Sequence, residues 1–236
     1  MGNQLDGGLI ELHRLLVALQ EVQEAIDRGP RQLKVRQQTV VQKQAELEAQ
    51  KQKHKSLRMT ADQKSLQLKS NEAKIGDLRG KLNQAQSNRE FDIIKQQIAA
   101  DSVANSVLED EILDALEKVD LAQQDIKRLE ADVAQAQADE KRIAAEIAAA
   151  LPGHQSRQAE LNSAISAAEA LLPADIHVPY RRLVQAYGAA ALAPVEGNTC
   201  TSCYVSLPAQ MAMQVRAGQI FFCKTCGRLL YSAPAE

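Results

Sequence analysis

Cys200-Thr-Ser-Cys203 and Cys223-Lys-Thr-Cys226 contain all four cysteines of this 236-residue chain, with nineteen residues between the two pairs. Two Cys-x-x-Cys pairs at such a distance are typical of a structural zinc ribbon, in which two turns each supply two thiolates. Four thiolates fill a tetrahedral site and leave no position for water or substrate. The motif therefore predicts one structural Zn2+ held by Cys200, Cys203, Cys223 and Cys226, and no catalysis at the metal.

Paired cysteines have two other uses that compete with zinc binding. A thioredoxin-like redox pair needs a flanking βαβ pattern, which this sequence lacks. A [4Fe-4S] cluster uses the same four thiolates, and the ligands alone do not exclude it. Because every cysteine falls in a metal-type pair, a reducing cytoplasm is the expected location. The start of the chain does not resemble a signal peptide, and no run of eighteen apolar residues predicts a membrane span.

The aromatic residues are concentrated near the end of the chain. Six of the seven follow residue 179, and the exception is Phe91. The first three quarters are rich instead in Ala, Leu, Gln, Lys and Glu, which is the composition of long helices or coiled coil. This part of the chain therefore predicts helices that pack as a thin pair and have no ordinary globular core.

An aliphatic residue recurs at almost every seventh position from Leu5 to Leu82, and His54 is the main exception. A second stretch carries two such lines, one through Ile98, Ile112 and Ile126 and the other through Ile94, Leu108 and Leu129. Such repeats indicate helices that pack along one seam. Helix-weakening residues between the stretches, including Gly80 and Ser87, mark the tip of a hairpin.

Proline positions suggest the register of the two arms. Pro30 and Pro152 lie at equal distances from residue 91, so they are expected to face each other as paired kinks. The predicted fold class is mainly α: a long antiparallel coiled-coil hairpin with a small C-terminal β-rich zinc ribbon. We assign residues 1–172 to the hairpin, with its tip near 83–92, and residues 173–236 to a linker helix and the C4 zinc ribbon.

Charge is divided between the arms. Residues 28–81 hold fourteen basic and five acidic residues, whereas residues 90–170 hold seven basic and seventeen acidic residues. Antiparallel arms would therefore attract each other, and most of the basic surface is expected to be internally compensated. An exposed remainder gives candidate nucleic-acid contacts, which are Lys51, Lys53, Lys55, Arg58, Lys127, Arg128 and, in the ribbon, Arg228.

The predicted tip gives a candidate contact for a protein partner. It consists of Asn88, Arg89, Glu90 and Phe91, and the aromatic ring is the reason for choosing it, because exposed aromatic residues often anchor interfaces. The four histidines are scattered, without a nucleophile or paired carboxylate at a recognisable spacing. We therefore expect no enzyme, no small-molecule substrate and no membrane association.

The sequence resembles the bacterial C4-type zinc ribbon domain family, whose members join a long coiled-coil hairpin to a C-terminal zinc ribbon. The resemblance rests on Leu16, Leu19 and Gln20, Asn88-Arg89-Glu90-Phe91, Leu172-Pro173 before Tyr180, Val195-Glu-Gly-Asn-Thr-Cys200, and Phe222-Cys-Lys-Thr-Cys226-Gly-Arg-Leu-Leu-Tyr231. It implies a non-enzymatic cytoplasmic adaptor. Better-studied relatives bind sigma-54 and flagellar or type III secretion components, and one binds a flagellin transcript.

The family resemblance and the residues together favour a protein partner. A ribbon that binds RNA is expected to be basic, whereas this ribbon has Arg216, Lys224 and Arg228 against Glu196 and Glu236, and a zinc tetrathiolate adds further negative charge. The leading hypothesis is a zinc-binding adaptor for protein partners such as sigma-54 or flagellar and secretion components. The alternative is a regulatory protein that binds RNA or DNA.

Overall fold

A computed structural model describes residues 2–232, with side chains from residue 7 onward, so that the side chain of Leu5 lies outside the described part. Two long helices, α1 (Gly2–Leu82) and α2 (Asn88–Glu169), pack together as a hairpin. A short helix, α3 (Ala174–Tyr187), and a single 3-10 turn (Gly188–Ala191) lead into a small strand-containing region. The predicted fold class, a helical hairpin followed by a small ribbon, is confirmed.

The chain forms two compact units, residues 1–33 with 143–236, and residues 34–142. In the second unit, side chains at seven-residue spacing are buried between the helices, among them Val40, Ala61 and Ile75 of α1 and Ile112, Val119, Ile126 and Val133 of α2. Ion pairs flank this seam, and the partner number falls as the α1 number rises: Lys43–Asp132, Lys51–Glu130, Lys64–Glu111 and Lys74–Asp101. The predicted attraction between a basic arm and an acidic arm is thus present in the contacts.

The register of the arms differs from the prediction that the two prolines face each other. Both helices continue through their prolines, and Pro30 and Pro152 are both exposed. Gly29 is the buried residue at this point, and a Cβ added to it would lie 2.9 Å from Cγ2 of Ile147. The prediction is wrong because the chain turns between Leu82 and Asn88, before residue 91, which shifts the alignment of the two arms.

In the first unit, one apolar core unites the start of α1, the end of α2, α3 and the sheet. Its most buried large side chains are Leu9, Leu12, Leu161, Tyr180, Leu192 and Leu229. Gly188 ends α3 with φ of +58°, and the chain then enters the first strand. The ribbon is therefore packed on the base of the hairpin by side chains that lie far apart in sequence.

The sheet contains four strands: β1 (Leu192–Glu196), β2 (Thr199–Cys200), β3 (Phe221–Phe222) and β4 (Leu229–Ser232). Their order is β2-β1-β4-β3, in which β1 and β4 are parallel and the other pairs antiparallel. A fourth helix, α4 (Ala209–Arg216), lies between β2 and β3 in sequence. Among residues 2–232, no helix has an apolar stretch long enough to cross a membrane.

Candidate metal centre

The four cysteine sulfurs meet at one point of the ribbon. All four Sγ atoms lie within 4.8 Å of one another, and the distances are 3.9 Å for Cys200–Cys226 and 3.8 Å for Cys203–Cys223. Zinc–sulfur bonds of about 2.3 Å at tetrahedral angles place the sulfurs about 3.8 Å apart. All four are free thiols, and their separations far exceed a disulfide bond of about 2.05 Å. The donor set therefore fits one structural zinc, as predicted.

The two cysteine turns have the same backbone geometry. The N–H of Tyr204 donates to the carbonyl of Cys200, and the N–H of Gly227 donates to the carbonyl of Cys223, both at 2.8 Å. The residue after each pair has positive φ, +58° at Tyr204 and +75° at Gly227. Glycine adopts this conformation without strain, whereas tyrosine does not. The same turn is thus built once with a relaxed residue and once with a strained one.

The environment of the thiols differs across the site. Cys200 and Cys223 are buried, whereas Cys203 and Cys226 are half-buried. Burial raises the pKa of the Cys200 thiol. At Cys226, burial acts in the same direction, but hydrogen bonds from the Arg228 backbone and from neighbouring thiols outweigh it, and the pKa falls to about 7. Because zinc binds thiolates, its binding must release protons from this site.

A small apolar cluster surrounds the sulfurs. It contains Ala193, Val195, Leu207, Ala212, Val215 and Leu230 together with Cys200 and Cys223. These side chains are few for an independent core, so a ribbon of this size depends on metal for part of its stability. The metal centre is therefore a structural element that shapes the sheet and α4.

Sequence reasoning gave no role to His13, yet the structure places it at the junction of hairpin and ribbon. Its Nδ1 lies 2.6 Å from the hydroxyl of Tyr231, and the two rings meet edge to face with centroids 5.5 Å apart. Burial lowers the pKa of His13 and raises the pKa of Tyr231 to about 12. Because 218 residues separate the pair, no local sequence pattern could have found it.

The four candidate tip residues form the first turn of α2. Ser87 caps this helix, because its Oγ accepts from the N–H of Glu90 at 3.2 Å, and the Glu90 carboxylate accepts from the N–H of Gln86 at 3.3 Å. Phe91 is 43% exposed. Glu90 therefore has a capping role, and Asn88 and Arg89 are exposed beside it. Phe91 is the exposed aromatic residue of this group, and its role as a partner contact stays a prediction.

Most of the candidate nucleic-acid residues already have partners. Lys51 pairs with Glu130, Arg58 with Asp62, and Arg128 with Asp125. In the ribbon, Nε of Arg228 donates to the carbonyl of Ala190 at 2.7 Å, and its guanidinium lies 4.9 Å from the ring centroid of Tyr187. Lys53, Lys55 and Lys127 make no ion pair with any residue in the described part of the chain. The mid-helix basic surface is therefore smaller than the charge count indicates.

Four cysteines on two matched turns of a small sheet define a C4 zinc ribbon, which follows a helical hairpin in this chain. Residues 199–230 match the family model of the C4-type zinc ribbon domain, so this region carries such a domain, as the sequence resemblance predicted. No curated protein gives a match to the chain.

Solved structures show the same fold over nearly the whole length. The protein CT398 from Chlamydia trachomatis matches with a TM-score of 0.76 at 17% identity, covering 98% of both chains. The HP0958 protein from Helicobacter pylori matches with a TM-score of 0.68 at 15% identity, covering 99% of both chains. At these identities the similarity establishes the architecture alone and gives no information about binding partners.

Proposed function

We propose that the protein is a non-enzymatic adaptor, in which zinc folds the ribbon and the hairpin presents contact surfaces to protein partners. The observation that carries the proposal is the shared core of the first unit, where Leu12 of α1, Tyr180 of α3 and Leu229 of β4 are all fully buried. A metal-stabilised sheet fixed in this way holds the base of the hairpin in one arrangement. The closed thiolate site supports a structural role, because it has no free coordination position.

The partner classes that the family resemblance indicates are sigma-54 and flagellar or type III secretion components. Phe91 is the proposed anchor, because a half-exposed aromatic ring at the start of a helix buries a large area when a partner covers it. Truncation of such an anchor typically costs more than about 1 kcal/mol of binding free energy.

The test uses purified zinc-loaded protein and purified sigma-54, with binding measured by biolayer interferometry. We expect Phe91→Ala to weaken binding about tenfold or more. Leu171→Ala is the matched control, because Leu171 is also a large exposed apolar residue. Equal affinity of Phe91→Ala and wild type would remove the tip from the proposal, and no binding by wild type would remove sigma-54 as the partner.

The alternative is RNA or DNA binding through the mid-helix lysines, and it rests on Lys53, Lys55 and Lys127, which lack ion pairs in the described structure. Electrostatic binding to nucleic acid is strongest at low salt, so the test is a gel-shift titration at low salt. Binding that weakens in Lys53→Gln/Lys55→Gln/Lys127→Gln would support the alternative. A titration without any shift would dispose of it.

A further inference from the structure

A second line of residues runs along α2 in the unit of residues 34–142. Its members follow one another at alternating steps of four and three, and we call them the outer line: Val103, Val107, Asp110, Asp114, Glu117 and Leu121. All six are exposed, with 67% of Val103, 54% of Val107 and 54% of Leu121 accessible to solvent. At 1.5 Å per residue, the line is about 27 Å long.

The outer line has the spacing of a helix–helix seam but has no helix on it. The seam that α2 forms with α1 uses residues at the same alternating steps, such as Leu108, Ile112, Ala115 and Val119, which are buried. The outer line lies on the face of α2 opposite this buried seam. An apolar pair at one end, Val103 and Val107, is followed by three carboxylates, so the line also has a direction.

The carboxylates of the outer line have no cationic partner in the described part of the chain. Asp110, Asp114 and Glu117 make no ion pair with any residue from 2 to 232. Two other acids of α2 do have partners, since Glu111 pairs with Lys64 and Asp125 pairs with Arg128. Three adjacent unpaired carboxylates repel one another, and a basic partner would relieve this repulsion.

Two copies of the outer line do not complement each other. Pairing of two outer lines across a twofold axis would bring acidic groups toward acidic groups. The corresponding outward line of α1 contains no lysine or arginine, since it runs through Gln52, Ser56, Met59, Gln63, Leu66 and Ser70. Nucleic acid and anionic lipid are repelled by the carboxylates as well.

We propose that the outer line is the docking site for a basic amphipathic helix of another protein. This helix would place apolar side chains against Val103 and Val107, and lysine or arginine against Asp110, Asp114 and Glu117. The inference rests on the proposed adaptor function and adds to it a contact surface and the chemistry of the partner segment.

The experiment uses the full zinc-loaded chain and a synthetic helical peptide of about 20 residues, which matches the length of the outer line. The peptide has leucines at alternating steps of three and four in one half and lysines at the same steps in the other. A second peptide has the same composition in shuffled order. Binding is measured by fluorescence anisotropy, and circular dichroism checks that each variant keeps its helix content.

Two test variants separate the two halves of the line. We expect Val103→Ser/Val107→Ser and Asp110→Asn/Asp114→Asn/Glu117→Gln each to weaken peptide binding about tenfold. The matched apolar control is Val35→Ser/Val41→Ser, since both valines are exposed on α1. The matched charge control is Glu48→Gln/Glu72→Gln/Asp77→Asn on the same helix. Neither control is expected to change the affinity.

Four outcomes would overturn the docking site. Equal binding of the ordered and shuffled peptides, or equal loss in test and control variants, would each mean charge attraction without docking. Another is the absence of peptide binding. The last is sedimentation showing a dimer that Val103→Ser/Val107→Ser dissociates, because a second copy would then occupy the line. A Phe91-dependent sigma-54 interaction would survive any of these results, so the two proposals fail separately.

Discussion

The imidazole of His13, in the fourth turn of α1, accepts or donates a 2.6 Å hydrogen bond with the hydroxyl of Tyr231 in β4. The edge-to-face ring contact adds to this bond; Tyr231 is buried in the core of the first unit, and His13 is half-buried beside it. The pair thus links the first and last described elements of the chain. Removal of this contact is expected to destabilise both α1 and β4.

Tyr231→Phe removes the hydroxyl and keeps the ring. We expect the free energy of unfolding to fall by about 1 kcal/mol, because the His13 nitrogen loses its partner in a partly buried site. Urea denaturation followed by circular dichroism measures the change. His13→Ala in the same background should add only the loss of packing, so a full additive effect of the two substitutions would contradict a coupled pair.

Stability should depend on pH through His13. Burial lowers the pKa of this histidine in the folded protein from its ordinary value of 6.5, so the unfolded chain binds the proton at higher pH. The contribution is complete above pH 6.5 and is lost as the pH falls below this value. The midpoint of urea unfolding is measured between pH 7.5 and pH 5.5, and the decline should be smaller in His13→Gln, which retains the zinc site. Parallel curves for the two proteins would be evidence against this assignment.

Removal of zinc should unfold the ribbon selectively. Each chain is expected to release one zinc ion, measured with a colorimetric chelator, and Cys203→Ser is expected to weaken retention strongly. Hydrogen exchange after chelation should show loss of protection in β1 to β4. Residues 34–142 form a separate compact unit, so their helical amides should keep their protection. Uniform loss of protection along both helices would show that metal supports the whole chain.

Tyr204→Gly should stabilise the ribbon. Tyr204 has φ of +58° and is 82% exposed, so glycine relieves backbone strain and loses few contacts. A left-handed residue costs about 1 kcal/mol, and part of this gain is offset by the greater freedom of glycine in the unfolded chain. We expect a net gain of about 0.5 kcal/mol in thermal or urea unfolding. Val205→Gly is the control, since this residue lacks positive φ, and it should destabilise.

Two glycine substitutions test the register of the helices. Gly153→Ala meets no atom within 4 Å and should stabilise α2 by about 0.5–1 kcal/mol through helix propensity. Gly29→Ala would place its Cβ 2.9 Å from Ile147, so the same propensity gain is opposed by a clash. Thermal unfolding of the two variants should therefore differ in sign or by about 1 kcal/mol. Equal stabilisation would mean that the helices do not approach at Gly29.

Much of the architecture follows from local patterns. The seven-residue line that includes Val40, Ala61 and Ile75 predicted α1, and the spacing of the cysteines predicted the ribbon, because both patterns reflect short-range geometry. The relative alignment of the two helices was harder to predict from the sequence. The alignment depends on the position of the turn and on the close approach of the helices at Gly29. The predicted alignment rested instead on two prolines, which are exposed.

The metal ligands were likewise predictable and the junction was not. The spacing of the cysteine pairs identifies Cys200 and Cys223 as metal ligands. The contact of His13 with Tyr231 and the burial of Tyr180 arise only when distant segments of the chain meet. Compensation of Lys51 by Glu130 also depends on the register, so the basic surface could be estimated from charge counts only in outline.

The unit that holds the ribbon is discontinuous, since it combines residues 1–33 with 143–236. Leu9 and Leu12 therefore emerge early during translation but obtain the last of their core partners only when Leu229 has been synthesised. Residues 34–142, in contrast, can complete their contacts before residues 143–236 have been fully synthesised. The leucine-rich start of α1 thus stays partly uncovered until β4 has been made, so closure of this core is expected to come late in folding.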